Sequence, residues 1–128
     1  MAVELNHTIV PCHDNKESAT FLADILGLPS PKRWGPFFVV DVANGVSLDF
    51  HDVADPEAPI SPQHYAFLIS EATFDEIFGR VRERGLDYWA DPGRSRPGEI
   101  NHNDGGRGVY FEDPAGNLLE IITRPYGG

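Results

Sequence analysis

The sequence predicts an α+β domain made of two similar modules. Strand and helix signals alternate in the same order twice along the chain. Each copy also places a histidine at the head of an apolar strand and a carboxylate four residues after a hairpin glycine. Self-similarity that is weak in identity but held in register is typical of a duplicated structural unit.

The repeat is anchored by two histidines and two carboxylates. His7 and Asp49 belong to the first copy, and His64 and Glu120 take the corresponding places in the second copy. Each histidine is followed at nearly the same distance by a helix-like run that closes on Gly-Leu. Two modules of this kind would bring the four side chains to one site.

Length, charge and cysteine content limit the class of protein. A chain of 128 residues fits one domain, with module one at about 1–52, a linker at 53–63 and module two at about 64–128. The net charge of -10 repels phosphate backbones and anionic lipids, so we expect no nucleic-acid or membrane partner.

Cys12 is the single cysteine, which excludes an internal disulfide. Because the sequence shows neither a signal peptide nor a long apolar run, we expect a soluble, cytoplasmic protein.

A strand and a helix open the first module. Residues 3–10 are rich in β-forming residues and stop at Pro11. Asp14 or Asn15 can cap the helix that follows, and Gly27 ends it.

Each module closes with a predicted hairpin. In the first, a short segment at 32–35 precedes two β-rich runs joined by Asn44-Gly45, a strong hairpin signal. In the second, the turn lies at 113–116, where proline fixes φ and glycine accepts the positive φ that follows. The remaining elements of the second module are a strand at 64–70, a helix at about 71–84 and a strand at 86–90.

A long loop at 91–107 has no counterpart in the first module. It is rich in Gly, Pro and Arg, and loops of this length in compact domains often cover a binding site, so we predict an active-site flap. His102 in this loop is a candidate catalytic acid or base. The alternative for His102 is an ordinary solvent-exposed loop histidine.

Glu120 is the only charged residue of its predicted strand, Leu118–Ile122. Burying a lone carboxylate is costly unless a cation compensates it. The cation is either a metal ion or an arginine such as Arg107 or Arg124.

The other three anchors are ambiguous when each is considered alone. Asp49 shares a strand face with Ser47 and His51 and could simply be solvated. His7 and His64 each lie in a β-rich run, where a histidine is more often a core or edge residue than a ligand. Four such residues in repeat register favour a metal site, because imidazole and carboxylate groups are common ligands of divalent ions.

Three segments carry a family resemblance: NHTIV around His7, HYAFLI beginning at His64, and GVYFEDPAGNLLEIIT around Glu120. They resemble the hallmarks of the glyoxalase, bleomycin-resistance and extradiol-dioxygenase group, also called the vicinal oxygen chelate superfamily. The resemblance implies paired βαβββ modules that form a curved mixed-sheet cleft, with the helices on the outer face. It also implies a divalent metal in that cleft, with His7, Asp49, His64 and Glu120 as ligands.

The number of ligands decides which chemistry the resemblance implies. His7, His64 and Glu120 alone match the two-histidine, one-carboxylate set of non-haem Fe(II) oxygenases. With Asp49 as a fourth ligand, the set resembles that of Ni or Zn isomerases, in which such a carboxylate also acts as the base. Asp49 is shorter than the glutamate of those isomerases, so oxygenase chemistry is favoured, with Fe(II) ahead of Zn, Ni or Mn.

The implied substrate is a small molecule that chelates the metal through neighbouring oxygen atoms. Similar proteins that act on aromatic polyketides suggest a flat ring, and the family also implies a homodimer. The alternative function is metal-free binding of a drug or another ligand, as in bleomycin-resistance members. The aromatic side chains that could contact such a ring are Trp34, Phe37, Phe50, Tyr88, Trp89 and Tyr110.

Overall fold

Each half of the chain forms a four-stranded mixed sheet with one helix. The computed structural model describes residues 2–125, and the chain divides between Ser61 and Pro62 into two units. The first unit contains β1 (His7–Cys12), α1 (Asn15–Leu26), β2 (Lys32–Trp34), β3 (Phe37–Asp41) and β4 (Ser47–Asp52). The second contains β5 (His64–Leu68), α2 (Glu71–Glu83), β6 (Tyr88–Trp89), a short 3-10 helix (Asn103–Gly105), β7 (Gly108–Glu112) and β8 (Leu118–Ile122). That the two units form one domain stays a prediction.

The two sheets have the same strand order. The first runs β1, β4, β3, β2, and the second runs β5, β8, β7, β6. In each sheet the first pair of strands is parallel and the other pairs are antiparallel. The predicted α+β class and its two βαβββ modules are therefore confirmed.

The strand register shows that the two copies are equivalent at the level of single residues. His7 pairs with the first residue of β4, and Asp49 lies two residues further along that strand. His64 pairs with the first residue of β8, and Glu120 lies two residues further along that strand. Because side chains alternate along a strand, each histidine shares a face of its sheet with its carboxylate.

Helix α1 begins and ends at residues that the sequence identifies. The Asp14 side chain caps it by accepting the Glu17 N–H at 3.0 Å, and Gly27 ends it with φ of 72°. Its buried residues include Leu22 and Ile25, and the helix packs on β3 and β4. None of the helices within residues 2–125 has the length and apolar character needed to cross a bilayer.

Burial along β4 separates the two faces of the first sheet. Leu48 and Phe50 are buried on the side that α1 covers, whereas Ser47, Asp49 and His51 alternate with them and are more exposed. The predicted ligand Asp49 therefore lies on the face opposite the helix.

Both predicted hairpins are confirmed, and each turn holds a glycine with positive φ. Gly45 has φ of 77° and Gly116 has φ of 89°. The first turn is closed by a hydrogen bond from the Val42 N–H to the Val46 carbonyl at 2.9 Å.

Three predicted strands have different bounds in the structure. The strand predicted at 64–70 ends at Leu68. The strand predicted at 3–10 begins later and continues through Pro11 to Cys12. Cys12 directs its carbonyl toward β4, so the preceding Pro11 directs its nitrogen to the open edge of the sheet, where no N–H is needed. The strand predicted at 86–90 shortens to Tyr88–Trp89.

Candidate metal site

The second unit brings two of the predicted ligands into contact. His64 Nε2 lies 3.0 Å from Glu120 Oε1. Glu120 is fully buried, whereas 45% of the His64 side chain is exposed. The Tyr110 ring stacks on the His64 imidazole with 5.8 Å between the ring centroids. The unit thus presents an accessible imidazole against a carboxylate that water does not reach.

Both ring nitrogens of His64 face oxygen acceptors. Nδ1 lies 3.0 Å from the Leu118 carbonyl oxygen, which can only accept, and a hydrogen on Nδ1 makes this contact a hydrogen bond. Nε2 then faces a Glu120 oxygen that also only accepts when the carboxylate is ionised. Two acceptors at this distance repel each other unless a proton or a metal cation lies between them. The contact can therefore hold one proton or one metal cation.

The separation of Nε2 and Oε1 fits two neighbouring ligands of one metal ion. Bonds from a divalent metal such as zinc to histidine nitrogen or carboxylate oxygen are about 2.0–2.2 Å long, and two bonds of this length at the right angles of an octahedral ion place their donor atoms about 3 Å apart. Imidazole and carboxylate are also ligands that iron, zinc and nickel share. His64 and Glu120 therefore fit a divalent cation.

The prediction that Arg107 compensates the charge of Glu120 is wrong, because Arg107 binds other carboxylates. Its guanidinium lies 2.7 Å from a Glu71 oxygen and 2.8 Å from an Asp75 oxygen, both on α2. Hydrogen bonds from the Thr123 and Arg107 side chains hold the pKa of Glu71 below its usual value. Arg107 thus fastens the end of the long loop to the helix.

The first unit holds the other two predicted ligands. The Nδ1 atom of exposed His7 lies 2.7 Å from the Asn6 side-chain oxygen, which leaves Nε2 available to a metal. Asp49 Oδ1 accepts the Ser47 hydroxyl at 2.8 Å. Both predicted ligands line a hollow of about 490 Å³. The residues around the hollow are Asn6, His7, Lys32, Arg33, Trp34, Val39, Ser47 and Asp49.

The structure describes the four predicted ligands as two pairs, one pair in each unit. Among residues 2–125, no group of three or more His, Cys, Asp or Glu side chains is arranged to hold a metal ion. The structure brings His64 and Glu120 together and places His7 and Asp49 at the corresponding positions of the first unit. Each unit by itself contributes one imidazole and one carboxylate.

The aromatic side chains predicted to contact a substrate have different environments. Phe50 is 2% exposed and Tyr110 is also buried, so neither ring offers an exposed surface to a substrate. Strand alternation places Phe50 on the side of the sheet that α1 covers. Trp34 is 71% exposed and stacks on Phe37 with 6.4 Å between the ring centroids. Trp34 therefore offers a flat apolar surface beside the hollow of the first unit.

Hydrogen bonds hold the loop at 91–107 within itself and to the residue before it, and its role as an active-site flap stays a prediction. The Asp91 carboxylate accepts the Ser95 hydroxyl at 2.6 Å and the Ser95 N–H at 3.1 Å. These bonds hold the pKa of Asp91 below its usual value. Asn101 is buried and donates to the Ala90 carbonyl at 2.8 Å. The loop is thus hydrogen-bonded at its start, through Asp91, and near its middle, through Asn101.

His102 is exposed within this loop. It directly precedes the short 3-10 helix Asn103–Gly105. Its role as a catalytic acid or base stays a prediction.

Three polar residues that bond the predicted ligands, or the backbone beside them, were not identified from the sequence. Asn6 and Ser47 bond the side chains of His7 and Asp49, and each lies next to its partner in the sequence or on the same strand face, which was a usable signal. The fully buried Asn117 accepts the Gln63 N–H at 2.8 Å, just before His64. That contact depends on the parallel pairing of β5 with β8, which no local sequence signal reveals.

Comparison with known proteins identifies the family. A family model described as the Glyoxalase/Bleomycin resistance protein/Dioxygenase superfamily matches residues 4–121. The chain belongs to this superfamily. Membership confirms the predicted resemblance to vicinal oxygen chelate proteins.

Several members of the superfamily are similar to this chain. The solved structure of Oxidase ChaP-H1 is 68% identical, with a TM-score of 0.95 over 99% of this chain and 100% of that chain. Glutathione transferase FosA from Serratia marcescens is 27% identical over 124 residues, which are 94% of this chain and 81% of that protein. Metallothiol transferase FosB from Shouchella clausii is 39% identical over 72 residues, which are 56% of this chain and 45% of that protein.

Proposed function

We propose that this protein is a metal-dependent enzyme that oxidises a small molecule bearing two neighbouring oxygen atoms, with an aromatic ring as the favoured scaffold. The contact between His64 and Glu120 carries the proposal, because two acceptor atoms 3.0 Å apart are held together by a proton or by a metal cation, and both groups are common metal ligands. The 68% identity to Oxidase ChaP-H1 supports oxidation over isomerase or lyase chemistry. Fe(II) is the favoured metal, ahead of Zn, Ni or Mn.

The proposed ligands are His7, His64 and Glu120, with Asp49 beside them. Each unit contributes an imidazole and a carboxylate from corresponding strand positions, so a two-fold symmetric dimer can combine them. In that arrangement His7 of one protomer joins His64 and Glu120 of the partner subunit. When bound, the metal would supply Lewis-acid and redox chemistry to the chelated oxygen atoms.

The groups around the proposed ligands orient the two imidazoles even when no metal is bound. The Leu118 carbonyl holds the hydrogen of His64 on Nδ1, and the Asn6 side chain does the same for His7. Both imidazoles therefore keep Nε2 free of hydrogen for a cation. The exposed ring of Trp34 gives a flat substrate an apolar surface beside His7.

Metal analysis of protein purified without an affinity tag or a chelator tests this function. We expect one divalent ion per chain and oxygen uptake when an aromatic diol or quinol is added to the Fe(II)-loaded protein. Protein that remains metal-free in metal-replete medium, and that binds an aromatic drug, would instead support the metal-free binding alternative.

Asp49→Ala separates oxidation from isomerase or lyase chemistry. We expect the variant to keep its metal and its oxygen uptake, because the Asp49 carboxylate already accepts the Ser47 hydroxyl. Removing a general base instead lowers the rate by about 100-fold or more. A loss of that size would make Asp49 a ligand or a base. Ser47→Ala removes only the hydroxyl donor and serves as the control.

A homodimer with two equivalent sites is expected in solution, and complementation between variants tests it. His7→Ala and Glu120→Ala should each be inactive alone. Mixed and reassociated, they should recover about a quarter of wild-type activity, because half of the dimers are hybrids and each hybrid has one intact site of two. A monomeric mass at micromolar concentration, or no recovery on mixing, would contradict the cross-chain arrangement.

A further inference from the structure

The turn between β7 and β8 holds a buried polar pair that the proposed chemistry does not use. Asp113 is 8% exposed and Asn117 is fully buried. Asp113 Oδ1 accepts the N–H groups of Ala115 at 3.0 Å and of Asn117 at 2.8 Å, and Oδ2 accepts Asn117 Nδ2 at 3.0 Å. Burial raises the pKa of Asp113, although these hydrogen bonds favour its ionised form. The chain thus keeps a costly buried carboxylate at this turn.

The pair reaches the backbone immediately before His64. Asn117 Oδ1 accepts the Gln63 N–H at 2.8 Å, and the Gln63 carbonyl accepts the Leu118 N–H at 2.9 Å. The Leu118 carbonyl in turn lies 3.0 Å from His64 Nδ1. Hydrogen bonds therefore connect the turn to the start of β5 and to the His64 ring.

The first unit lacks this support. The corresponding backbone bond is present, from the Ser47 N–H to the Asn6 carbonyl at 3.0 Å. Val46 takes the place of Asn117, however, and has no side-chain acceptor. His7 relies instead on the side chain of Asn6. The buried pair thus occurs in the unit whose imidazole contacts a buried carboxylate.

We propose that Asp113 and Asn117 are positioning residues that hold the His64 imidazole with Nδ1 on the Leu118 carbonyl and Nε2 toward Glu120. The metal-binding part of this inference rests on the proposed function, because it treats His64 as a ligand. The proposed orientation of the His64 ring applies to the metal-free protein as well. Residues that orient a metal ligand change metal affinity by about 10- to 100-fold when they are replaced.

Exchanging the two residues gives a sharp test. Asp113→Asn alone sets two amide NH₂ groups against each other, and Asn117→Asp alone sets two carboxylates against each other. The double variant Asp113→Asn/Asn117→Asp restores every hydrogen bond of the pair and keeps the total charge. We expect each single variant to bind Co²⁺ about 10- to 100-fold more weakly in calorimetric titration, and the double variant to recover most of that loss.

A second measurement needs no metal. In metal-free wild-type protein, the His64 Nδ1 proton should give an NMR signal that exchanges slowly with water, because it is bonded to the Leu118 carbonyl. The single variants should lose that signal and the double variant should regain it. Asn101→Ala is the matched control, because Asn101 is a buried asparagine of the same unit that bonds the Ala90 carbonyl instead. It should lower the melting temperature and leave the His64 signal and Co²⁺ affinity unchanged.

The outcomes separate the inference from the proposed function. Single variants that lose stability as Asn101→Ala does, yet keep the His64 signal and Co²⁺ affinity, would overturn the positioning role. If the single variants do not fold, a double variant that folds without regaining the signal would overturn it as well. If wild-type protein binds no Co²⁺ while the signal is lost and regained as expected, positioning is supported and the proposed function fails.

Discussion

Glu120→Gln is expected to abolish metal binding and oxidation while the protein stays folded. The amide has the size of the carboxylate but carries no charge for a cation, and its NH₂ group can donate to His64 Nε2. We expect the affinity for Co²⁺ to fall by more than about 100-fold, beyond the range for residues that only support a ligand. The metal-free variant should be at least as stable as wild-type protein in thermal unfolding, because a fully buried charge has been removed.

Glu112→Gln is the matched control for this experiment. Glu112 lies on β7, in the same sheet, and its carboxylate pairs with Arg94 at 2.6 Å with 42% of its side chain exposed. Its replacement should leave metal affinity unchanged. Wild-type Co²⁺ affinity in Glu120→Gln would remove Glu120 from the proposed ligands.

Phe50→Ala is expected to lower the free energy of unfolding by about 3–5 kcal/mol, because it leaves a cavity in the core. Phe50 is 2% exposed and lies between Val10 and Phe38 on the neighbouring strands. Urea unfolding of the metal-free protein measures the loss. A change below about 1 kcal/mol would contradict the placement of this ring in the core.

Trp34→Ala provides the opposite case. Trp34 is 71% exposed, so its removal should change the free energy of unfolding little. It should instead raise the KM for an aromatic substrate, because the stacking surface beside His7 is lost. An unchanged KM together with loss of the dimer would assign Trp34 to the subunit contact instead.

The fold was predictable because its signals are local and occur twice. Asp14 and Gly27 mark the ends of a helix, and glycines at Gly45 and Gly116 mark the hairpins, each through a backbone geometry that few residues satisfy. Pro11 misled the prediction of β1, because a proline ends a strand only where its nitrogen faces a neighbouring strand.

The candidate site was predictable only in part. The contact between His64 and Glu120 follows from two strand positions that recur in the repeat, so the pattern was sufficient to name both residues. The bond from Asn117 to Gln63 joins residues far apart in the chain, and its partner is a backbone group that carries no sequence signal. Phe50 was named as a possible substrate contact because aromatic composition does not reveal which side of a sheet a helix covers.

The proline in β1 also affects how the protein can assemble. A strand at the edge of a sheet presents a row of N–H and carbonyl groups to which another chain can add as a further strand. Pro11 interrupts that row, because its nitrogen faces outward and has no hydrogen to donate. Extension of the sheet from one molecule into the next is thereby discouraged at β1. The β1 edge should therefore resist the strand-to-strand stacking that leads to fibres.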